Sequence, residues 1–211
     1  MPDFLDQCVI QFDSVLRTFW PAWPKTSNHR PMVEQNQTEQ LSELDKHQVI
    51  SMMRVNLAGE VAAQGLYRGQ MLLARDNILR QHLHQAAVEE LEHYAWCYQR
   101  LMELDARPSF FNPVWYAGAF MIGLFASVLG DAKSLGFVIA TEEQVGQHLA
   151  DHLQRLPKED LQSRAIVAKM YEDELLHAQE AADRGGDRLP LYVQQIMHWA
   201  AQVMIQTSSL L

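Results

Sequence analysis

Glu89-Glu90-Leu91-Glu92-His93 and Asp173-Glu174-Leu175-Leu176-His177 decide how this chain folds. Each stretch holds a Glu-x-x-His motif, and residues three apart on a helix share one face. Taken singly, either motif is common, and a surface Glu–His pair is its ordinary meaning. Their surroundings change that. Glu60 precedes Glu90 by 30 residues, and Glu142 precedes Glu174 by 32. The first pair is centred on residue 75, beside Asp76-Asn77, and the second on residue 158, inside Pro157-Lys158-Glu159-Asp160. Both are turn sequences. In an antiparallel hairpin, residues equidistant from the turn lie at one height. Each lone glutamate therefore returns opposite its own motif, giving two helix pairs that each present Glu, Glu and His.

The neighbours at helical spacing are apolar. Leu83, Ala86, Ala87, Tyr94 and Cys97 share the Glu90 face, and Val167, Met170, Tyr171, Ala178 and Ala181 share the Glu174 face. Glu142 is flanked by Val138, Ile139, Val145 and Leu149 and points inward, whereas Glu143 points outward. Glu89 and Glu92 lie off the Glu90 face, solvated or supporting the ligands. Buried carboxylates facing one another repel and are costly to desolvate unless paired or bound to metal. Two divalent cations resolve both problems. The candidate ligands are Glu60, Glu90, His93, Glu142, Glu174 and His177. A carboxylate-rich set with one imidazole per ion suits iron or manganese better than zinc or calcium. Four helices carrying this set describe an all-α, ferritin-like four-helix bundle.

Working outward, helices are expected from about Ser42 to Arg75, Ile78 to Leu104, Lys133 to Leu156 and Leu161 to Asp183. Between the pairs, Val114 to Leu129 is apolar almost all round. Its sixteen residues span ~24 Å at ~1.5 Å each, short of the ~30 Å hydrocarbon core. A crossover helix lying on a membrane or buried in the protein fits better than a spanning one. A last apolar helix follows Pro190. Residues 4–19 are expected to form an amphipathic helix, with a polar linker to about Gln40. The chain thus divides into an extension, 1–40, and the metal-binding domain, 41–211. Asp3, Asp6 and Asp13 break any targeting pattern, so a cytosolic start is expected. The net charge of −9 argues against nucleic acid. Cys8 and Cys97 build neither a disulfide framework nor a cysteine metal site and read as buried thiols.

Arg54-Val55-Asn56-Leu57-Ala58-Gly59-Glu60, Glu89 to His93, Thr141-Glu142-Glu143 with His148, and Asp173 to His177 resemble the demethoxyubiquinone hydroxylases of ubiquinone biosynthesis, bacterial type, over residues 45–211. The departures are Leu176, where Glu is common, and Gln147, where a second His is common. The resemblance implies a di-iron monooxygenase holding two iron ions on the six residues above, with Glu90 and Glu174 bridging. Dioxygen would be its co-substrate, and a polyprenylated demethoxyubiquinol its substrate, hydroxylated on the ring in the penultimate step of ubiquinone synthesis. Electrons would come from the quinol itself or from an NADH-linked donor. The enzyme would be a peripheral membrane protein on the cytoplasmic face of the cell membrane. Other ubiquinone-biosynthesis proteins and a second copy of the chain are open as partners.

The competing readings are a ferroxidase or iron-storage bundle, a manganese catalase or rubrerythrin-like peroxidase, and a helical membrane adaptor whose motifs are accidental. Two cysteines cannot build a rubredoxin-type site. His148 and Arg54 either orient ligands and substrate or make ordinary core and surface contacts. Tyr67, Tyr94 and Tyr171 read as core aromatics.

Overall fold

The structure is a computed structural model, which describes residues 29–33 and 41–210. The amphipathic helix expected over residues 4–19, and most of the linker after it, lie outside the described residues. Among the described residues every regular element is a helix: α1 (Glu43–Leu73), α2 (Asn77–Glu103), α3 (Asn112–Val128), α4 (Asp131–Arg155), α5 (Leu161–Asp183) and α6 (Leu191–Leu210).

Local chemistry sets the helix ends. Ser42 caps α1, its hydroxyl accepting from the Asp45 amide at 3.1 Å. Asp76 and Asp160 cap α2 and α5 in the same way, satisfying amide donors that have no partner within the helix. Gly185, at φ +87°, closes α5, and the Gly186 amide returns to the Ala181 carbonyl. Glycine adopts this left-handed conformation without strain.

α1 and α2 form one hairpin and α4 and α5 the other; α2 also packs on α5, and α1 on α4. The Asp131 carboxylate accepts from the amides of Arg75 and Asp76, fixing the first turn against the start of α4. At the opposite end, Arg100 of α2 bonds Asp160 and Ser163 at 2.9 Å each. Residues 29–33 lie against the bundle, where Arg30 pairs with Glu103 and the Pro31 carbonyl accepts from Gln162.

Two apolar clusters fill the interior. One contains Met53, Leu57, Leu101, Leu149, Ile166 and Met170. The other contains Tyr67, Met71, Leu83, Ala86, Val138 and Ala181. Each fully buried leucine or isoleucine contributes about 1.5–3 kcal/mol. Along every bundle helix the change from one cluster to the other falls at the candidate ligands, so a thin polar layer sits between two apolar plugs.

The crossover helix α3 is neither wholly buried nor free. It packs along α1 more extensively than any other helix pair. Gly65 and Gly69 of α1 and Gly123 of α3 permit this. A Cβ on any of them would collide with backbone of the facing helix: Tyr116 O, Phe120 O and Leu66 O respectively. Gly123 is thus a packing residue. The Ser127 hydroxyl adds a 2.6 Å bond to the Gln70 carbonyl. The other face of α3 leaves Val114, Met121, Phe125 and Val128 exposed. α6 lies on α1 and α4 and exposes Tyr192, Ile196 and Trp199. No described helix is long and apolar enough to cross a membrane.

Candidate metal centre

All six candidate ligands are buried and meet at mid-bundle. One oxygen or ring nitrogen from each of Glu60, Glu90, His93 and Glu174 lies within 4.8 Å of the others. The same holds for Glu90, Glu142, Glu174 and His177. Glu90 and Glu174 belong to both groups, each at the junction between its own hairpin and the other. That is the position from which a carboxylate can bridge two ions. Glu143, adjacent to Glu142, is exposed and pairs with Arg188 at 3.0 Å.

The donor atoms approach closely without satisfying one another. His177 Nδ1 stands 3.1 Å from Glu90 Oε1 and 3.5 Å from Glu174 Oε2. Yet His177 Nδ1, Glu90 Oε1 and both Glu174 oxygens are buried with no well-directed hydrogen bond. Buried polar atoms are nearly always satisfied. Donor atoms aimed at common points rather than at each other are what a metal pair requires, so the residues present fit two divalent cations.

Electrostatics describe the same centre in protons. Burial, reinforced by the Glu90 charge, raises the Glu60 carboxyl well above the carboxylate range. Burial, with Glu174 beside it, does the same to Glu142. Burial alone would raise Glu90, but the His177 and His93 imidazoles beside it hold it low. Burial alone would lower His177, but Glu174 and Glu90 push it up to about 12. His93 is raised well above its usual value by Asp173 and Glu174, against its burial. The raised carboxyls and imidazoles thus favour protons in the ligand layer when no cation is there. Metal binding would displace them.

Groups beyond the six hold them in place. His93 Nε2 lies 3.1 Å from Asp173 Oδ2, and His177 Nε2 lies 2.7 Å from Glu89 Oε2. Each histidine is therefore oriented by the acidic residue preceding the Glu-x-x-His motif of the other hairpin. Lys169 in turn pairs with Asp173. The Tyr67 hydroxyl donates to Glu142. Sequence reasoning left Glu89 between two roles, passed over Asp173 and read Tyr67 as a core aromatic. The repeated acidic residue ahead of both motifs was the available signal. Arg54 takes the ordinary role: its Nε donates to the Arg107 carbonyl at 2.8 Å, securing the loop before α3.

A cavity of about 280 Å³ adjoins the centre, with Glu60 on its wall. Val55 and Leu66 of α1, Ile122 of α3 and Met197 and Ile205 of α6 make it almost wholly apolar. His148 also lines it, its ring 3.9 Å, centroid to centroid, from that of His152.

Residues 47–208 match the family model described as Ubiquinone biosynthesis protein COQ7. The chain belongs to this family. A 3-demethoxyubiquinol 3-hydroxylase of Nitrosomonas europaea is 48% identical over 206 residues, covering 97% of each chain. One of Polaromonas naphthalenivorans is 52% identical over 204 residues, again 97% of each. One of Ralstonia pickettii is 54% identical over 164 residues, 78% of this chain and 76% of that one. Membership of the COQ7 family agrees with the helical bundle, and it brings the apolar cavity beside the carboxylate–histidine cluster into the functional reading.

Proposed function

We propose that this COQ7-family chain is a 3-demethoxyubiquinol 3-hydroxylase, a monooxygenase of ubiquinone biosynthesis. The observation that carries the reading is the juxtaposition of two overlapping ligand groups with an apolar cavity whose wall includes Glu60. A ferroxidase or iron-storage bundle has use for the cluster but none for the cavity, and the named relatives favour the hydroxylase.

Glu60, Glu90 and His93 would hold one iron ion and Glu142, Glu174 and His177 the other, with Glu90 and Glu174 shared. The iron pair would supply the reductive activation of dioxygen. The balance of the reaction is one oxygen atom into a ring C–H bond and the other into water, with two electrons and two protons from a donor. That donor is the quinol itself or an NADH-linked reductant. The protein's part is positional. Glu89 and Asp173 orient the imidazoles, Tyr67 holds Glu142 by its hydroxyl, and the apolar plugs exclude water from the ligand layer. The cavity admits the ring beside Glu60.

The polyprenyl tail explains the exposed apolar faces of α3 and α6. We read them as a surface that seats the protein on the cytoplasmic face of the cell membrane, close to a substrate dissolved in lipid. Residues 1–40 form an extension to this domain in the same reading.

Iron-loaded protein given a demethoxylated quinol, reductant and air should form the ring-hydroxylated product, and the Glu90→Ala protein should form none. Iron oxidation with the quinol unchanged would move the function to ferroxidase chemistry.

A further inference from the structure

The cavity beside Glu60 holds polar atoms that nothing in the protein satisfies. Asn56 lies one helical turn before Glu60 on α1, lines the cavity and is 3% exposed. Its Oδ1 is buried without a hydrogen-bond donor, and its Nδ2 reaches only the weakly accepting Met53 sulfur at 4.0 Å. From α4, His148 lines the same cavity, and its Nε2 is likewise buried and unpartnered. A buried acceptor without a donor is destabilising, and native interiors rarely keep one unless a bound molecule completes it. Here two occur in a chamber whose lining, Glu60, Thr141 and Gln144 apart, is otherwise apolar. That pattern, a greasy cavity with a few convergent polar groups, is how small-molecule sites fix orientation.

Resting on the hydroxylase reading, we propose that Asn56 and His148 anchor the quinol ring, Asn56 Oδ1 accepting from one ring hydroxyl and His148 Nε2 from the other. A reduced ring carries two such donors. The ring so held lies beside Glu60, and the two anchors decide which carbon faces the ligand cluster. The His152 ring, edge-on to His148, fixes the second anchor's orientation. Burial lowers the pKa of His148, which leaves its ring neutral with one nitrogen free to accept. The tail has a way out. Among the described residues α3 and α6 both pack on α1 and α4 without packing closely on each other, and Ile122, Met197 and Ile205 line the cavity from those two helices. Asn56 and His148 are positioning residues: they touch the substrate away from the reacting carbon.

The test measures binding to iron-loaded enzyme held free of oxygen, so that no turnover intervenes. The ligands are a short-tailed demethoxylated quinol and two phenol analogues, each lacking one of its two ring hydroxyls. Wild-type enzyme should bind each analogue about tenfold more weakly than the quinol, the effect of one hydrogen bond. In Asn56→Leu the tenfold penalty should vanish for one analogue and persist for the other, and in His148→Phe the pattern should reverse. Each penalty compares two ligands on one protein, so a general loss of stability or iron does not mimic it. Asn56→Leu enzyme that still turns over should also misplace or lose the new hydroxyl while continuing to consume dioxygen. Unchanged penalties for both analogues in both variants would overturn the anchoring. Failure of wild-type enzyme to bind the quinol at all would instead overturn the hydroxylase reading.

Discussion

Asp173 Oδ2 on α5 lies 3.1 Å from His93 Nε2 on α2, and its mirror contact in the pseudo-repeat joins Glu89 on α2 to His177 on α5. Each hairpin therefore braces the other's imidazole. A carboxylate behind a ligand histidine fixes its tautomer and raises its basicity, and losing it typically costs 10–100-fold in metal affinity. Asp173→Asn and Glu89→Gln should each weaken Fe(II) binding by about that factor in anaerobic titration while leaving the helical content unchanged. Wild-type affinity in both variants would reduce these contacts to surface ion pairs.

Loading the site should release protons. Glu60 and Glu142 are raised carboxyls, and His93 and His177 are raised imidazoles, so all four hold their protons more tightly in metal-free protein than in the unfolded chain. Divalent cations compete with those protons, so affinity should fall as pH falls. A pH indicator in weak buffer should report proton release on adding Fe(II) at pH 7. Binding without proton release would contradict this charge balance.

The glycine seam gives a stability test with an internal control. Gly123→Ala drives a Cβ into the Leu66 carbonyl and should cost about 1–3 kcal/mol or more, seen as a melting temperature lower by ~2–4 °C per kcal/mol. Gly118, on the same helix, has open space around its missing Cβ, and Gly118→Ala should stabilise by about 0.5–1 kcal/mol. Equal effects from the two would refute the close approach of α3 to α1.

Acid should weaken the fold through His152. Burial, with His148 and Arg155 nearby, lowers it from the usual histidine range to about 3. Between pH ~6.5 and about 3 the unfolded chain binds this proton and the folded chain does not. Stability therefore declines as pH falls through that window, by up to about 1.4 kcal/mol per unit from this group. His152→Phe should flatten the melting-temperature profile between pH 6.5 and 4. An unchanged profile would place the acid sensitivity elsewhere.

The proposed membrane seating would rest on Phe125 of α3 and Trp199 of α6, 60% and 70% exposed. Replacing both with Lys should release the protein from lipid vesicles without altering iron content. Undiminished vesicle binding would assign these faces to another contact.

The spacing of Glu60, Glu90, Glu142 and Glu174 about two turns was enough to place the hairpins, because helical rise is constant and the turns carry Asp76-Asn77 and Pro157. The inward direction of Glu142 followed from Val138, Ile139 and Leu149. The support from Asp173 and Tyr67 was not legible in the same way. Both reach across to a different hairpin, so their partners depend on how the hairpins pack, which periodicity within one helix does not encode. The double character of α3 was also hidden. An apolar run looks the same whether it packs on α1 through Gly123 or lies exposed through Phe125, and only the facing Gly65 and Gly69, some fifty residues earlier, distinguish the two faces. The cavity is likewise a product of assembly, built from α1, α3, α4 and α6 together.

The most direct test of the central claim follows the oxygen atoms. Iron-loaded enzyme is mixed with a demethoxylated quinol and reductant, and isotopically heavy dioxygen is admitted. One heavy oxygen atom in the hydroxylated ring is the expected result. Product carrying only oxygen from water, or iron oxidised with the quinol unchanged, would contradict it.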